Sequence, residues 1–246
     1  MVGVKEKLKV CWLSAGVSSF VGGYLAEGVD EYIYIDIENQ HPDSMRFIRD
    51  CERFLGKHVQ ILKSPYGSVE RVIKQFRCIN TSYGSRCTQI LKKRVRKEWE
   101  DVHKDFDITY VWGFDIEEKN RAERLNESMP EFNHEYPLID RYLTKQDAHA
   151  ILDRLGIKRP AMYDLGYQNN NCIGCVKGGM GYWNKIRQDF PEVFDRMAKL
   201  EREVGHSCIN GVYLDELDPG RGRMEDEIIQ DCGIMCYLAM NEAKEG

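Results

Sequence analysis

No run of roughly 18 apolar residues occurs in this 246-residue chain, so no membrane-spanning helix is expected. The opening stretch, MVGVKEKLKVCWL, lacks the long apolar region and cleavage site of a signal peptide. Glycine stands at position 3, not 2, which removes a myristoylation signal. Acidic residues outnumber basic ones, 40 to 35, for a net charge of −5, so there is no global basic field to draw nucleic acid, although a local basic face remains open. The six histidines show no metal-ligand spacing, and His41 before Pro42 reads as a loop histidine. There is no Gly-x-Ser-x-Gly elbow, no His-Glu-x-x-His and no evident carboxylate pair for hydrolysis. Internal repeats and low-complexity linkers are also lacking.

What the chain has in quantity is cysteine: Cys11, Cys51, Cys78, Cys87, Cys172, Cys175, Cys208, Cys232 and Cys236. An odd count without a secretory signal argues against a disulfide framework. It points to a cytoplasmic chain whose clustered thiols bind metal or do thiol chemistry. Cys172-x-x-Cys175 falls in a Gly/Asn-rich loop and Cys232-x-x-x-Cys236 near the C-terminus. Two close-spaced pairs suit a four-thiolate site for zinc or an iron–sulfur cluster, with Cys87 and Cys208 as alternate ligands. A redox pair and plain burial are the competing readings.

Apolar strands alternate with amphipathic helices. KVCWLS and EYIYIDI read as buried strands, Asp43 to Leu55 as a helix with Met45, Ile48 and Phe54 on its apolar side, and HVQIL as a third strand. Ser68 caps SVERVIKQF, CINTSYGSRC is a loop, and a long basic helix starts at Thr88. DITYVWG is a fourth strand ending at Gly113, followed by the helix IEEKNRAERL, and YPLID a last short strand. Thr144 with Asp147 opens a capping-box-like helix, and Pro191 and Gly205 bracket another. The expected fold is a doubly wound, mainly parallel α/β sheet flanked by helices. Residues 1–140 would form the nucleotide-binding domain, and 141–246 a Cys-bearing helix/loop C-terminal extension packed on it.

Ligands of open parallel sheets bind outside the carboxyl ends of the strands. Four features fall there: LSAGVSSF with Ser14, Ala15, Gly16, Ser18 and Ser19, then Asp36 onward, Gly84 to Thr88, and Gly113 with the helix after it. The first turn offers small residues, hydroxyls and a helix N-terminus to an anion, with Ser18 or Ser19 as its cap. It lacks the Gly-Lys-Ser/Thr ending of a Walker loop. A tight strand–helix turn needing small residues for packing is the bland alternative. GSRCTQILKK sets Arg86, Cys87 and two lysines at a helix start, where a thiol's pKa falls. Arg121 suits phosphate or sulfate, unless it pairs with Glu117 on the helix surface. The run KKRVRK reads as a solvated helix face more readily than as a binding surface.

Together these segments resemble the PAPS (phosphoadenosine phosphosulfate) reductase family, within the adenine nucleotide α-hydrolase-like, PP-loop ATP pyrophosphatase superfamily. The family's Ser-Gly-Gly-x-Asp-Ser loop is similar to Ser14-Ala15-Gly16-Val17-Ser18-Ser19. Its Asp-Thr-Gly-x-x-Phe-Pro-Glu-Thr resembles Asp36 to Ser44, its Arg-Cys step before a Leu-Lys helix resembles SRCTQILKK, and its Gly…Glu-Glu…Arg resembles GFDIEEKNR. The terminal Glu-Cys-Gly-Leu-His resembles Asp231-Cys232-Gly233-Ile234, which maps the family's catalytic cysteine onto Cys232. Ser18 replaces the loop acid, Cys87-Thr88 replaces a double cysteine, and no histidine closes the tail.

The resemblance implies an oxidoreductase of the sulfonucleotide-reductase type, binding PAPS, APS or ATP. Ser14, Ala15, Gly16, Ser18, Ser19 and Gly113 would cradle the anion, Asp36 would sit by the adenosine, and Arg86, Lys92 and Arg121 would contact anionic groups. Thiolate attack by Cys232 on the nucleotide's sulfur, followed by a second thiol or a thioredoxin-like reductant, would release sulfite. Cys232 cannot act both as metal ligand and as free nucleophile, and Cys87 is the other reactive candidate. An ATP-dependent adenylating or sulfur-transfer enzyme acting on nucleic acid, and a non-catalytic nucleotide-binding accessory protein, are the alternatives.

Overall fold

The computed structural model describes residues 5–81 and 84–224. Cys232 and Cys236 lie outside the described residues. Five parallel strands form the central sheet: β1 (Glu6–Leu13), β2 (Glu31–Asp36), β3 (Val59–Lys63), β4 (Phe106–Val111) and β5 (Asn133–Glu135). Their order across the sheet is β3-β2-β1-β4-β5. The chain builds outward from β1 through β2 to β3, then crosses back to add β4 and β5 on the other side. That reversal between β1 and β4 is the topological switch point, where doubly wound sheets open a crevice for ligands.

Strand periodicity divides the apolar side chains between two cores. Leu8, Val10 and Trp12 of β1 face one side with Ile33, Ile35, Ile108 and Tyr110. Cys11 and Leu13 face the other with Tyr32, Tyr34 and Val111. Helices α1 (Val17–Leu25) and α2 (Asp43–Leu55) cover this second face, and α3 (Val69–Phe76) covers the first. The segment beyond residue 140 serves both faces. Ala148 and Leu152 of the helix Lys145–Arg154 join the second core, while Trp183, Phe194 and Met197, from the helices Met180–Asp189 and Pro191–Val204, join the first.

Several local expectations are met. Ser68 Oγ accepts from Arg71 N at 3.2 Å. Thr144 and Asp147 form a reciprocal capping box, and Gly205 ends its helix at φ 75°. Others are corrected. Helix α1 begins at Val17 with Gly16 as N-cap and no side-chain cap, so neither Ser18 nor Ser19 takes that position. YPLID is not a strand: Pro137–Asp140 is a helical turn, and the edge strand is Asn133–Glu135, paired with Thr109–Val111. Residues 78–87 are not loop throughout, because Asn80–Thr81 and Gly84–Ser85 pair as a small hairpin. The basic helix starts at Arg86, not Thr88, and widens to π-helical geometry over Gln89–Lys93 before continuing as Arg94–Val102. Phe54 is 42% exposed instead of core, resting edge-on against Phe20 and Tyr24.

Candidate functional site

The turn after β1 is held from within. Ser14 N and Ser14 Oγ both meet Ser19 Oγ at 3.0 Å, and Ser19 Oγ donates to Gly16 O at 2.9 Å. Ala15 is left-handed at φ 59° and fully buried, a conformation that carries a steric cost for any residue with a Cβ. Its carbonyl accepts from Asn170 Nδ2 at 2.8 Å. The turn therefore directs backbone N–H groups into the space at the head of α1. Those of Ser18 and Ser19 have no acceptor among the described residues, as first-turn amides have none within a helix. Val17 N makes a 3.3 Å contact with Tyr163 Oη.

Gly113, just beyond β4, presses against this turn. A Cβ there would lie 2.4 Å from Ser19 Cα and 2.5 Å from the Ser18 carbonyl group. Gly22, one turn further along α1, approaches Gly113 Cα almost as closely. The two glycines bring the helix N-terminus to the carboxyl end of β4, at the switch point. Asp115, buried two residues on, accepts from Glu117 N at 2.9 Å, and burial pushes its pKa up.

The remaining residues expected around an anion divide among separate places. Asp36 ends β2 and pairs with Lys63 at 3.0 Å. Arg121 is buried, ion-paired with Glu118 instead of Glu117, and stacked 4.4 Å over the Phe114 ring. Arg86 lies 4.7 Å over Phe76 and donates to Gln89 Oε1. Much of the basic run is paired along its own helix, Arg94 with Glu98, Arg96 with Glu100 and Lys97 with Asp101. His41 accepts from Asp43 N through Nδ1 and is a loop histidine.

Lys92 is grouped with cysteines. Cys87, Cys172 and Cys175 line one cavity of about 20 Å³, walled by Ile37, Val69, Leu91 and Val176 and bordered by Lys92 and Lys177. Cys208 adjoins them: burial, the Glu201 carboxylate, and then Cys175 and Cys87 together raise its thiol pKa. The other buried cysteines, Cys11 and Cys51, belong to the second core, with Cys11 Sγ 3.8 Å from Ser19 O. Burial pushes Cys11 to about 12 and Cys51 upward as well. Beside the cysteine cavity runs a cleft of about 910 Å³. Glu38, Ser68 and Ile173 line the cleft, while their neighbours Ile37, Val69 and Cys172 line the cavity.

Three polar residues that sequence reasoning passed over hold these parts together. Asn170 donates to Ala15 O and to Ser44 Oγ, and among the described residues its buried Oδ1 has no hydrogen-bond partner. Tyr182 Oη accepts from Cys175 N at 2.8 Å and donates to Cys172 O at 3.1 Å. Asn80 Nδ2 contacts the carbonyls of Val176 and Cys208, and its Oδ1 accepts from Ser85 Oγ at 2.8 Å. The run Asn169-Asn170-Asn171 was the only one of these signals visible in the chain, and it read simply as loop.

No protein-family model matches the chain. Over 181 residues, 70% of its length, it is 20% identical to the uncharacterized protein MJ0066 of Methanocaldococcus jannaschii. The chain spans 36% of that protein's length.

Proposed function

We propose that this chain binds an adenine nucleotide at the turn Ser14–Ser19 and acts in sulfur chemistry of the PAPS-reductase-like type. The observation that carries the reading is the turn itself. A left-handed residue, two first-turn amides without acceptors among the described residues, and a helix N-terminus converge at the switch point, where an anion gains hydrogen bonds and a favourable dipole. The buried Asn170 Oδ1, without a partner among the described residues, adds an acceptor beside the turn, suited to a ligand that carries a hydroxyl or amine as well as phosphate. Asp36 and Gly113 flank the same end of the sheet.

In the reductase reaction a thiolate attacks the nucleotide's sulfur and breaks the S–O bond to phosphate. The nucleotide leaves with that oxygen on its terminal phosphate, and a protein-bound thiosulfonate remains. A second thiol then attacks the thiosulfonate's protein-bound sulfur, forming a disulfide and releasing sulfite with the electron pair. Cys232 holds the nucleophile's place in the motif, and a thioredoxin-like dithiol would restore the thiols. The reading of the chain as a nucleic-acid-directed enzyme draws less support, since Arg94, Arg96 and Lys97 are engaged along their own helix.

Calorimetric titration with pyrophosphate, ATP, AMP and PAPS tests the binding. Saturable binding of at least one nucleotide is expected, weakened about tenfold in Ser19→Ala, which removes the hydroxyl that braces the turn. A chain that binds none of the four at millimolar concentration does not have this function. Sulfite release from PAPS or APS with thioredoxin then separates reduction from ATP splitting, which releases pyrophosphate, and from binding without turnover.

A further inference from the structure

We infer that Cys172 and Cys175 form a reversible dithiol/disulfide couple, reached from solution through Cys87 by a low-molecular-weight disulfide. It stands independently of the nucleotide reading, since none of the three belongs to the Ser14–Ser19 turn.

The chain from Cys172 to Cys175 is a four-residue turn with Ile173 and Gly174 at its corner. Gly174 is left-handed at φ 72°, which the third position of a type II turn requires. Turns of this kind hold their first and last Cα atoms within about 7 Å, and disulfides span about 4.4–6.8 Å between Cα atoms. Tyr182 Oη closes the turn, accepting from Cys175 N at 2.8 Å and donating to Cys172 O at 3.1 Å. A Cβ on Gly174 would lie 2.8 Å from Val193, and Gly178 packs flush on the Tyr182 ring, so the turn is set from both sides. Both cysteines line the same cavity of about 20 Å³. That gap holds about one water molecule, which leaves room for two sulfurs to close on each other. Among the described residues no three histidine, cysteine or acidic side chains come together to hold a metal; a disulfide needs only two.

Cys172 and Cys175 are 8% and 6% exposed, too deep for the disulfide of another folded protein to reach. Cys87, the third thiol lining the cavity, is half-buried and offers the way in. Asn80 fixes its approach: Nδ2 donates to Val176 O, the residue after Cys175, and Oδ1 accepts from Ser85 Oγ, two residues before Cys87. Lys92 and Lys177 border the cavity, and nearby cations favour the thiolate, which is the attacking form. Exchange then runs in three displacements. The Cys87 thiolate attacks one sulfur of the external disulfide, forming a mixed disulfide and expelling one thiolate. A loop thiolate attacks Cys87 Sγ and expels the second. The other loop thiolate attacks its neighbour's sulfur, forming the Cys172–Cys175 bond and returning Cys87 as thiolate. The loop loses two protons and two electrons, and the external disulfide becomes two thiols.

The test equilibrates the full chain in glutathione buffers running from fully reduced to fully oxidised, traps thiols by alkylation in acid, and maps disulfides by mass spectrometry. Cys172 and Cys175 are the only cysteines of the tryptic peptide 159–177. That peptide is expected to become lighter by two hydrogens on oxidation, and to regain them with dithiothreitol, at constant ellipticity. Cys87→Ser should reach the same end point about tenfold more slowly, while Cys78→Ser keeps the wild-type rate. In Cys172→Ser/Cys175→Ser, glutathione should remain on Cys87. Tyr182→Phe, which opens the turn, should lower the oxidised-to-reduced ratio at fixed buffer by about fivefold. Peptide 159–177 that keeps both thiols in fully oxidised buffer, a disulfide from either cysteine to Cys208, Cys232 or Cys236 instead, or wild-type oxidation kinetics in Cys87→Ser would overturn the inference.

Discussion

Gly113→Ala is the sharpest test of how the turn is built. The added Cβ would lie 2.4 Å from Ser19 Cα and 2.5 Å from both Ser18 C and Ser18 O. All three are backbone atoms, so no rotamer change relieves the clash, and the head of α1 must move away from the end of β4. Both lie in the packed interior, with Val17, Phe20 and Val21 fully buried. Overpacking of this kind costs about 1–3 kcal/mol, and a clash with main chain places the variant at about 2–3 kcal/mol. In a chain of this size each kcal/mol shifts Tm by about 2–4 °C, so a fall of about 5–10 °C is expected. Urea unfolding should show a lower midpoint with an unchanged slope. The same displacement opens the cradle, so nucleotide affinity should fall by more than stability alone accounts for at temperatures where the variant is fully folded. Gly22→Ala meets Gly113 Cα at 3.0 Å and is the milder control. A Gly113→Ala protein with wild-type stability, within about 0.5 kcal/mol, would refute the close approach on which the site's geometry rests.

Three further outcomes follow from individual contacts. Thr144→Ala removes the hydroxyl that accepts from Asp147 N and should lower stability by about 1 kcal/mol in urea unfolding. Glu201→Ala leaves the buried N–H groups of Cys208 and Leu214 without their carboxylate acceptor. At about 1–3 kcal/mol per unsatisfied group, it should cost about 2–4 kcal/mol, with Glu201→Gln intermediate. His134 Nδ1 accepts from Trp112 Nε1 at 3.0 Å, and Nε2 faces Met129 O at 3.0 Å, an arrangement for the neutral ring. Burial depresses its pKa below 6.5, so the unfolded chain binds the proton more readily. Its stabilisation is full above 6.5 and falls as pH drops through the depressed value. His149, depressed by burial and by Lys145 and Arg159, acts in the same direction. Chemical denaturation from pH 7.5 to 5 should show that loss, and it should shrink in His134→Gln.

What the chain revealed beforehand was whatever is local. The continuous apolar runs in KVCWLS and EYIYID, the Thr144/Asp147 cap, and Pro191 with Gly205 are each set by neighbours within a turn or a pleat, so their outcome matches the expectation. Asn133–Glu135 escaped because three residues carry no measurable period, and it becomes a strand only through pairing with Thr109–Val111. The start of α1 was misplaced because serine's capping preference was read without the tertiary contact: Ser19 turns back to Ser14 and Gly16 instead. For the cysteines, spacing along the chain shows only close pairs. The crossovers of a parallel sheet bring Cys87 beside the Cys172–Cys175 loop, and no window of sequence registers that. Asn80 offered no signal at all, because its importance lies in three segments that meet only in the folded chain.

The loop 170–175 makes the cradle and the cysteine cavity one mechanical unit. At its start Asn170 holds Ala15 O and Ser44 Oγ, beside the anion-binding turn. In its middle Ile173 N donates to Asn39 O at 2.8 Å, fixing the loop to the segment that follows Asp36. Cys172 and Cys175 meanwhile face the cavity shared with Cys87, held there by Tyr182. A shift at Ala15 thus reaches the thiols through two residues of backbone that are bonded on both sides, with no flexible linker between to absorb it. Interiors packed this tightly transmit displacement instead of dissipating it. In Asn170→Leu the carboxamide bonds to Ala15 and Ser44 are gone while the apolar bulk stays. That variant should therefore weaken nucleotide binding and also change the rate at which a thiol reagent modifies Cys172 and Cys175 in the folded chain. An Asn170→Leu protein that binds nucleotide more weakly but whose Cys172 and Cys175 react at the wild-type rate would show that the turn and the cysteine cavity merely adjoin.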